Sequence, residues 1–246
     1  MDFEDLLGGD EAGEGGEDGG HVSQDMFMFG MDEKEAQEMR QMKDSVVFLI
    51  DCHKSMHEKN KHNGEGNQPN VEQILKACLS FMKTKVITSE NDKIGVVLYG
   101  CREANNSLSF NHINVMQKLE SPDAAAIKSI ERRIATFTHD FGHAKEGQNV
   151  PLFEALWICH QEFKSVEKQS YSKRIFLFTN DDNPGTPGDK AMAEQRANDL
   201  ASLGVDIELF PMPNPQQERP IFDVKKFFAN IISFDEEEQF SEMLGI

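Results

Sequence analysis

Aromatic anchors, basic residues and long apolar runs are all scarce in this chain. Its 246 residues include one tryptophan and two tyrosines, and 43 acidic side chains outnumber 25 basic ones, which gives a net charge of −18. Binding to nucleic acid depends on clustered Lys and Arg at the phosphates, so the chain alone is a poor candidate for a nucleic-acid binder. No apolar run approaches the about 20 residues that cross a bilayer, and we expect no membrane partner.

Sequence motifs of the common catalytic and cofactor sites are also missing. There is no G-x-x-x-x-G-K-[ST] phosphate loop, no G-x-G-x-x-G dinucleotide fingerprint, no G-x-S-x-G nucleophile elbow and no H-E-x-x-H zinc motif. The cysteines are far apart and form no C-x-x-C pair, which is typical of reduced core thiols in an intracellular protein. They are Cys52, Cys78, Cys101 and Cys159. We predict no cofactor and identify no catalytic site.

Negative charge is concentrated at the start of the chain. Residues 1–40 carry 13 acidic and 2 basic side chains, a charge of −11, and they are rich in glycine. Such a segment buries too little apolar surface to offset the loss of chain entropy on folding, so we predict a disordered acidic tail over residues 1–40. Residues 26–29 (MFMF) form a weak exception, a short apolar patch able to dock on the domain or on a partner.

From residue 44 onward, patterns of buried strands alternate with patterns of amphipathic helices. Apolar runs predict strands over residues 45–51, 93–100, 174–180 and 205–210, and an imperfect alternation predicts an edge strand over 108–116. Helices are predicted after Asn70 and Pro151 and over residues 123–136, 189–203 and 223–233, with Asn70 and Asp189 as caps and Gly204 as a terminator. This order indicates an α/β fold with a doubly wound, mostly parallel six-stranded sheet and one antiparallel edge strand.

The most informative segment is the first strand, whose apolar run ends at Asp51. In an open α/β sheet, ligands bind beyond the carboxyl ends of the strands, so Asp51 is expected at a binding edge. A D-x-S-x-S loop there would hold a hard divalent cation through oxygen ligands, but His53 replaces the middle serine and only Ser55 remains. The neighbouring loops offer Pro151 in place of a threonine and Asn180 in place of an aspartate. We therefore expect a degenerate edge that binds no metal.

Other side chains with possible chemistry have plainer interpretations. Two groups of histidines could converge on zinc, namely His53, His57 and His62, and His139 with His143. Neither group has a well-placed cysteine or carboxylate partner, so solvated loop histidines are the favoured interpretation. Trp157 lies off the main apolar stripe of its helix, where packing is favoured over a role as a binding hot spot. Asp51 lacks a second aspartate two residues later, which disfavours a phosphotransfer hydrolase.

Several segments of the chain resemble the amino-terminal domain of the Ku family, and within it the seventy-kilodalton subunits. They are residues 48–56 (FLIDCHKSM), 155–159 (ALWIC), 173–184 (KRIFLFTNDDNP) and 222–233 (FDVKKFFANIIS), with T-N-x-D-N-P the most specific motif. The acidic tail is similar as well. The resemblance implies a Rossmann-like von Willebrand factor A domain over residues 41–235. It also implies that an acidic exit segment, residues 236–246, leads toward a DNA-binding barrel outside this sequence.

The resemblance implies a subunit of a ring-shaped heterodimer. Ku binds DNA double-strand break ends in non-homologous end joining, a route of DNA repair and recombination in the nucleus, and acts in telomere maintenance. The implied partners are the other Ku subunit, peptide motifs of end-joining repair factors, and DNA ends only through the full-length heterodimer. The family also carries ATP-dependent DNA helicase and abasic-sugar lyase activities. The family's lyase lysine falls on Met39 here, which cannot form a Schiff base, with Arg40 and Lys43 nearby.

Our leading hypothesis is a non-catalytic protein-interaction domain of a Ku subunit. Its interaction surface is predicted on two exposed helix faces, with Glu194, Arg196 and Asn198 on the helix over residues 189–203 and Lys225 and Lys226 on the last helix. Two alternatives remain open. One is a metal-dependent ligand receptor with the same von Willebrand factor A fold, and the other is a hydrolase that uses Asp51.

Overall fold

The computed structural model describes residues 43–64, 66–89, 91–145, 147–148, 150–166 and 171–233. All of them belong to the second of two units in the chain, Met42–Ile246. The acidic tail predicted over residues 1–40 and the exit segment predicted over residues 236–246 lie outside the described residues. Within the described ranges, no helix combines the length and the apolar character that a membrane span requires.

The described residues form one five-stranded sheet. Its strands are β1 (Lys43–Asp51), β2 (Lys93–Tyr99), β3 (Ile113–Glu120), β4 (Tyr171–Thr179) and β5 (Val205–Pro211). They lie in the order β3-β2-β1-β4-β5, parallel except for β3, which runs antiparallel at one edge. The predicted fold class is confirmed, although the sheet has five strands in this part of the chain where six were expected. The edge strand begins later than predicted, because Ser109 and His112 have φ angles of 57° and 58°, which an extended strand excludes.

The described part of the chain contains seven helices, six between strands and one after β5. They are α1 (Lys54–His57), α2 (Asn70–Thr88), α3 (Ala124–Ile134), α4 (Phe137–Asp140), α5 (Leu152–Phe163), α6 (Pro187–Ser202) and α7 (Val224–Phe227). Thr186, and not Asp189, is the N-cap of α6, and the two residues exchange hydrogen bonds in a capping box. Gly204 follows α6 with a φ of 73°, as its role as terminator requires. Asn70 is the first residue of α2 and not its cap, because its buried side chain accepts hydrogen bonds from other loop residues.

The last predicted helix, residues 223–233, is a single turn in the structure. The apolar residues that suggested a longer helix are nevertheless buried in the turn that follows, namely Phe227, Phe228, Ile231 and Ile232. Ser233 then reaches the outer edge of β5, where its N–H donates to the Ile207 carbonyl at 2.9 Å and its hydroxyl accepts from the Ile207 N–H at 3.1 Å. Attachment to the sheet edge ends the helical path and covers part of an open strand edge.

Apolar layers cover both faces of the sheet, and β1 contributes to both. Val47 and Leu49 belong to the layer that includes α5 and α6, whereas Val46, Phe48 and Ile50 belong to the layer that includes α2 and α3. Successive residues of a strand point to opposite faces, so a strand buried on both faces must be apolar at nearly every position. This central placement fixes the carboxyl end of β1 in the middle of the sheet edge.

Candidate functional site at the carboxyl edge of the sheet

Asp51, the last residue of β1, is completely buried at this edge. Its Oδ1 accepts the backbone N–H of His53 at 2.8 Å and lies 2.5 Å from His53 Nδ1. Its Oδ2 accepts the hydroxyl of Thr179 at 2.7 Å, because β4 is the parallel neighbour of β1 and the two strands end side by side. Both oxygens are therefore committed to protein donors. This arrangement argues against Asp51 as the nucleophile of a hydrolase.

His53 is the internal cation of this edge. The negative charge of Asp51 raises the pKa of His53 to about 9, although burial opposes the charged form, so His53 is an imidazolium at neutral pH. Burial alone would raise the pKa of Asp51, but the charge and hydrogen bonds of His53 and the hydroxyl of Thr179 outweigh it and lower that pKa. The two residues form an ion pair where an intact D-x-S-x-S loop would hold a metal.

Two residues at the end of β2 hold the ring of His53 in place. Tyr99 lies edge-on to the ring, with 6.0 Å between the ring centroids. Gly100 has a φ of 76°, and a Cβ on it would lie 3.0 Å from both Nδ1 and Cε1 of His53. A larger residue at position 100 would therefore be strained and would also crowd the ring. The position of the imidazolium is fixed by packing as well as by its charge.

The remaining residues of the edge do not fit a metal ion. The Ser55 hydroxyl donates to Asn180 Oδ1 at 2.9 Å, and Pro151, the N-cap of α5, offers no side-chain oxygen. A hard divalent cation needs six or more oxygen ligands, whereas here Asp51 already neutralises an imidazolium that would repel a second cation. Within the described ranges, no three His, Cys, Asp or Glu side chains converge in a way that could hold a metal.

The predicted histidine groups separate into local contacts. The rings of His57 and His143 lie 6.0 Å apart between centroids. Burial lowers the pKa of His57 to about 4, so its ring is neutral at neutral pH. Nε2 of His62 lies 2.8 Å from a backbone oxygen of the loop after β5, and His139 is exposed beside a neighbouring carboxylate. These contacts explain the histidines without a zinc ion.

Helix α6 carries three of the predicted interaction residues, and they differ in exposure. Asn198 is exposed, whereas Glu194 and Arg196 are half-buried. The Glu194 carboxylate accepts a hydrogen bond from Asn230 at 3.1 Å. The Arg196 guanidinium lies 4.2 Å from the centroid of the Trp157 ring on α5 and donates to a carboxylate one turn later at 2.6 Å. Trp157 thus packs against Arg196, which is a fixed part of the contact between two helices.

The two predicted lysines lie on α7, which adjoins α6. Lys225 and Lys226 are exposed, and Lys226 forms an ion pair with Asp182 at 2.6 Å. The ammonium of Lys190, on α6, donates to the backbone carbonyl of Lys226 at 3.1 Å. The five predicted interaction residues therefore lie on two neighbouring helices, α6 and α7.

Sequence reasoning missed Thr179 and Gly100 as parts of the edge. A signal for Thr179 was present, because a hydroxyl at the end of a buried strand must find a hydrogen-bond partner, and Asp51 ends the first strand. Gly100 directly follows the second apolar run, where a glycine often marks a close approach of another group to the backbone. The pattern did not identify that group as His53.

Comparison with known proteins relates this domain to one family. The Ku70/Ku80 N-terminal alpha/beta domain matches residues 45–244. The chain is 32% identical over 237 residues to the "ATP-dependent DNA helicase ku70" of Dictyostelium discoideum, covering 91% of this chain and 25% of that protein. It is also 32% identical over 203 residues to the "X-ray repair cross-complementing protein 6" of Mus musculus, covering 80% of this chain and 32% of that protein. The chain thus spans about a quarter to a third of the length of these curated relatives. Because the family match extends over most of the sequence, the chain belongs to the Ku family as an N-terminal alpha/beta domain.

Proposed function

We propose that this domain is a non-catalytic protein-interaction module of a Ku subunit. The observation that carries the proposal is the ion pair between Asp51 and His53. It leaves both carboxylate oxygens engaged at the edge where an oxygen-rich site would hold a metal. With metal chemistry disfavoured there, the outer helix surfaces become the principal places for partners.

The proposed interaction surface is the outer face of α6. Ala191, Met192, Gln195 and Asn198 are exposed and recur at spacings of three and four residues, so they form one stripe along the helix. The stripe has no ionised side chain, and two of its four side chains, those of Ala191 and Asn198, are short, which lets a partner helix approach closely there. Met192, 43% exposed, supplies a flexible apolar side chain that adapts to a partner.

Contacts beneath the α6 stripe hold it in a fixed position. Arg196 is stacked on Trp157, and Glu194 is hydrogen-bonded to Asn230. The bond from Lys190 to the backbone of α7 joins the two helices. A surface that is already ordered loses less conformational entropy when a partner binds, so this rigidity favours a recognition role.

The wider role belongs to the full-length protein and rests on membership of the family. We propose that the subunit pairs with the other Ku subunit and presents this domain to peptide motifs of end-joining repair factors. It would reach DNA double-strand break ends only through the full-length heterodimer, in nuclear non-homologous end joining and telomere maintenance. The net charge of −18 supports contact with DNA through other parts of the protein.

Capture of partners by surface variants tests the proposal. Asn198→Arg in the full-length subunit should leave the melting temperature unchanged, because the side chain is exposed, but should reduce recovery of end-joining factors by the heterodimer. Ser80→Arg is a matched control, since it places the same side chain at an exposed position of α2 in the opposite layer. Equal recovery by the two variants and the unchanged protein would rule out the α6 stripe as the docking surface.

A further inference from the structure

A crevice of about 290 Å³ opens beside the ion pair at the carboxyl edge of the sheet. Its lining includes His53, Ser55, His143 and Lys145. These side chains are hydrogen-bond donors or cations, although the chain as a whole has a net charge of −18. The crevice is therefore a local concentration of donors on an acidic protein, which is the environment that an anion requires.

His53 offers this crevice a fixed donor. Its Nδ1 faces the Asp51 carboxylate at 2.5 Å, and Tyr99 and Gly100 hold the ring. The side chain is 36% exposed, and Nε2 has no acceptor among the described residues. Because Nδ1 is engaged with the buried carboxylate, Nε2–H is the ring donor left for a ligand. A charged donor held in one position forms stronger hydrogen bonds than a mobile neutral one.

Ser55 and Asn180 supply a second polar point at the same edge. Asn180 is 7% exposed, and its Nδ2 is buried without a partner while Oδ1 accepts the Ser55 hydroxyl. The oxygen and nitrogen of an amide can exchange places by rotation of the group. That exchange lets Nδ2 donate to Ser55 Oγ and frees the Ser55 hydroxyl to donate into the crevice. The exchange pairs Nδ2 and moves Oδ1 into the buried position that has no partner, so each orientation leaves one buried polar atom of Asn180 unpaired.

Acidic groups around the crevice decide what kind of anion fits. Asp51 is neutralised by His53, and Glu58 is engaged with Gln216 at 3.1 Å. Asp181 is exposed on the loop after β4 and acts on His53 through its charge, and Lys145 is an exposed cation in the lining of the crevice. A compact group with a single negative charge can reach His53 between these side chains. Duplex DNA would meet Asp181, Glu58 and the net negative charge of the chain together.

We propose that this crevice binds a carboxylate group, presented by an acidic side chain of a partner polypeptide, with His53 Nε2–H and the Ser55 hydroxyl as its donors. A protein imidazolium thereby takes the position that a metal cation would have at such an edge, and the ligand is an Asp or Glu side chain. The inference rests on the proposed interaction role, and it assigns a second contact point separate from the α6 stripe.

Nuclear magnetic resonance of the full 246-residue chain, labelled with ¹⁵N, tests this assignment. The probes are a blocked tripeptide of glycine, aspartate and glycine and its asparagine counterpart, with inorganic phosphate and blunt duplex DNA as separate arms. The ring resonances of His53 should move saturably with the aspartate peptide and remain in place with the asparagine peptide. Loss of the ligand charge removes the charge-assisted hydrogen bond, which is the reason for the difference.

Two variants and a control sharpen the result. His53→Gln, followed through the backbone amide of Ser55, should weaken binding of the aspartate peptide by about tenfold or more. Lys145→Gln, at an exposed position, should weaken it to a lesser extent. Lys118→Gln on β3 is the matched control and should bind like the unchanged chain.

The proposal is overturned if the aspartate peptide leaves the His53 ring resonances in place or if the asparagine peptide moves them equally. A response to phosphate or DNA without a response to the aspartate peptide would also overturn the carboxylate assignment. Partner capture by the Asn198→Arg variant tests the α6 stripe, whereas the peptide titration tests the crevice. Failure of this inference and failure of the proposed function can therefore be told apart.

Discussion

Replacing His53 with alanine removes the cation that neutralises Asp51. Asp51 raises the pKa of His53 from 6.5 to about 9, and this difference corresponds to about 3 kcal/mol of folding free energy. Because the His53 side chain is 36% exposed, screening by solvent reduces the contribution to about 2 kcal/mol. For a protein of this size, His53→Ala should lower the melting temperature by about 4–8 °C at pH values near or below 6.5.

The cost of this substitution should depend on pH with a definite sign. A histidine whose pKa is raised by folding contributes its full stabilisation below the unfolded pKa of 6.5 and loses it as the pH rises through about 9. The difference in unfolding free energy between the unchanged protein and His53→Ala should therefore be largest at pH values below 6.5. It should shrink toward the contribution of a neutral hydrogen bond once the pH exceeds about 9.

Urea unfolding at a series of pH values, followed by circular dichroism, measures this difference. His57→Ala is the matched control, because burial lowers the pKa of His57 to about 4 and its ring is neutral throughout this range. Its cost should stay nearly constant from pH 6.5 to about 9, because only the unfolded ring, with a pKa of 6.5, binds protons at the lower end of this range. A cost of His53→Ala that is equally constant, or that grows as the pH rises, would refute the ion pair as the organising interaction of the edge.

Three further predictions concern the metal, a buried lysine and DNA. The combined replacement of His53 by Ser, Pro151 by Thr and Asn180 by Asp restores oxygen ligands at the carboxyl edge of the sheet. Calorimetric titration should therefore show Mg²⁺ binding by this variant and none by the unchanged chain. Equal heats from the two proteins would contradict the prediction. Lys173 is 3% exposed and donates to backbone carbonyls at the ends of α5 and α6, at 3.0 and 3.4 Å. Lys173→Met should therefore cost about 2 kcal/mol, seen as a melting temperature lower by about 4–8 °C, and an unchanged melting curve would contradict this role. In a gel-shift assay, the 246-residue chain with its charge of −18 should leave blunt duplex DNA unretarded, whereas a salt-sensitive shift by this chain alone would be the contrary result.

The parts of the fold that were predictable from sequence are those whose cause is local or periodic. Strands β1, β2, β4 and β5 were predictable because parallel strands buried on both faces are continuously apolar. The end of α6 was predictable from Gly204, whose φ of 73° most other residues avoid. The predicted bounds of the edge strand and of the last helix were wrong, because contacts with other segments determine where these two elements begin and end. Val115 donates to the Asn105 carbonyl at 2.8 Å and fixes where the edge strand pairs, and Ser233 is drawn to β5.

The candidate site divides in the same way. The loss of oxygen ligands could be read from the identities of His53, Pro151 and Asn180 alone, since side-chain chemistry does not depend on geometry. The ion pair between Asp51 and His53, with its hydrogen bond from Thr179, could not be predicted from residue identities alone. It requires β4 to lie beside β1, so that Thr179 reaches Asp51 across 128 positions of sequence. The pairing of strands is a property of the whole fold, and no local pattern specifies it.

An internal cation differs from a bound metal in ways that bear on recognition. Occupancy of a metal site varies with the metal concentration, whereas His53 is attached to the chain and stays charged at any pH well below about 9. A metal also forms coordination bonds to its ligand, whereas an imidazolium with Nδ1 engaged has a single donor left. A carboxylate bound at this edge would therefore be held weakly by itself, by the hydrogen bonds from His53 Nε2–H and the Ser55 hydroxyl alone. Stable recognition then requires additional contacts elsewhere on the domain, and the rigid stripe on α6 supplies a surface on which a partner can make them.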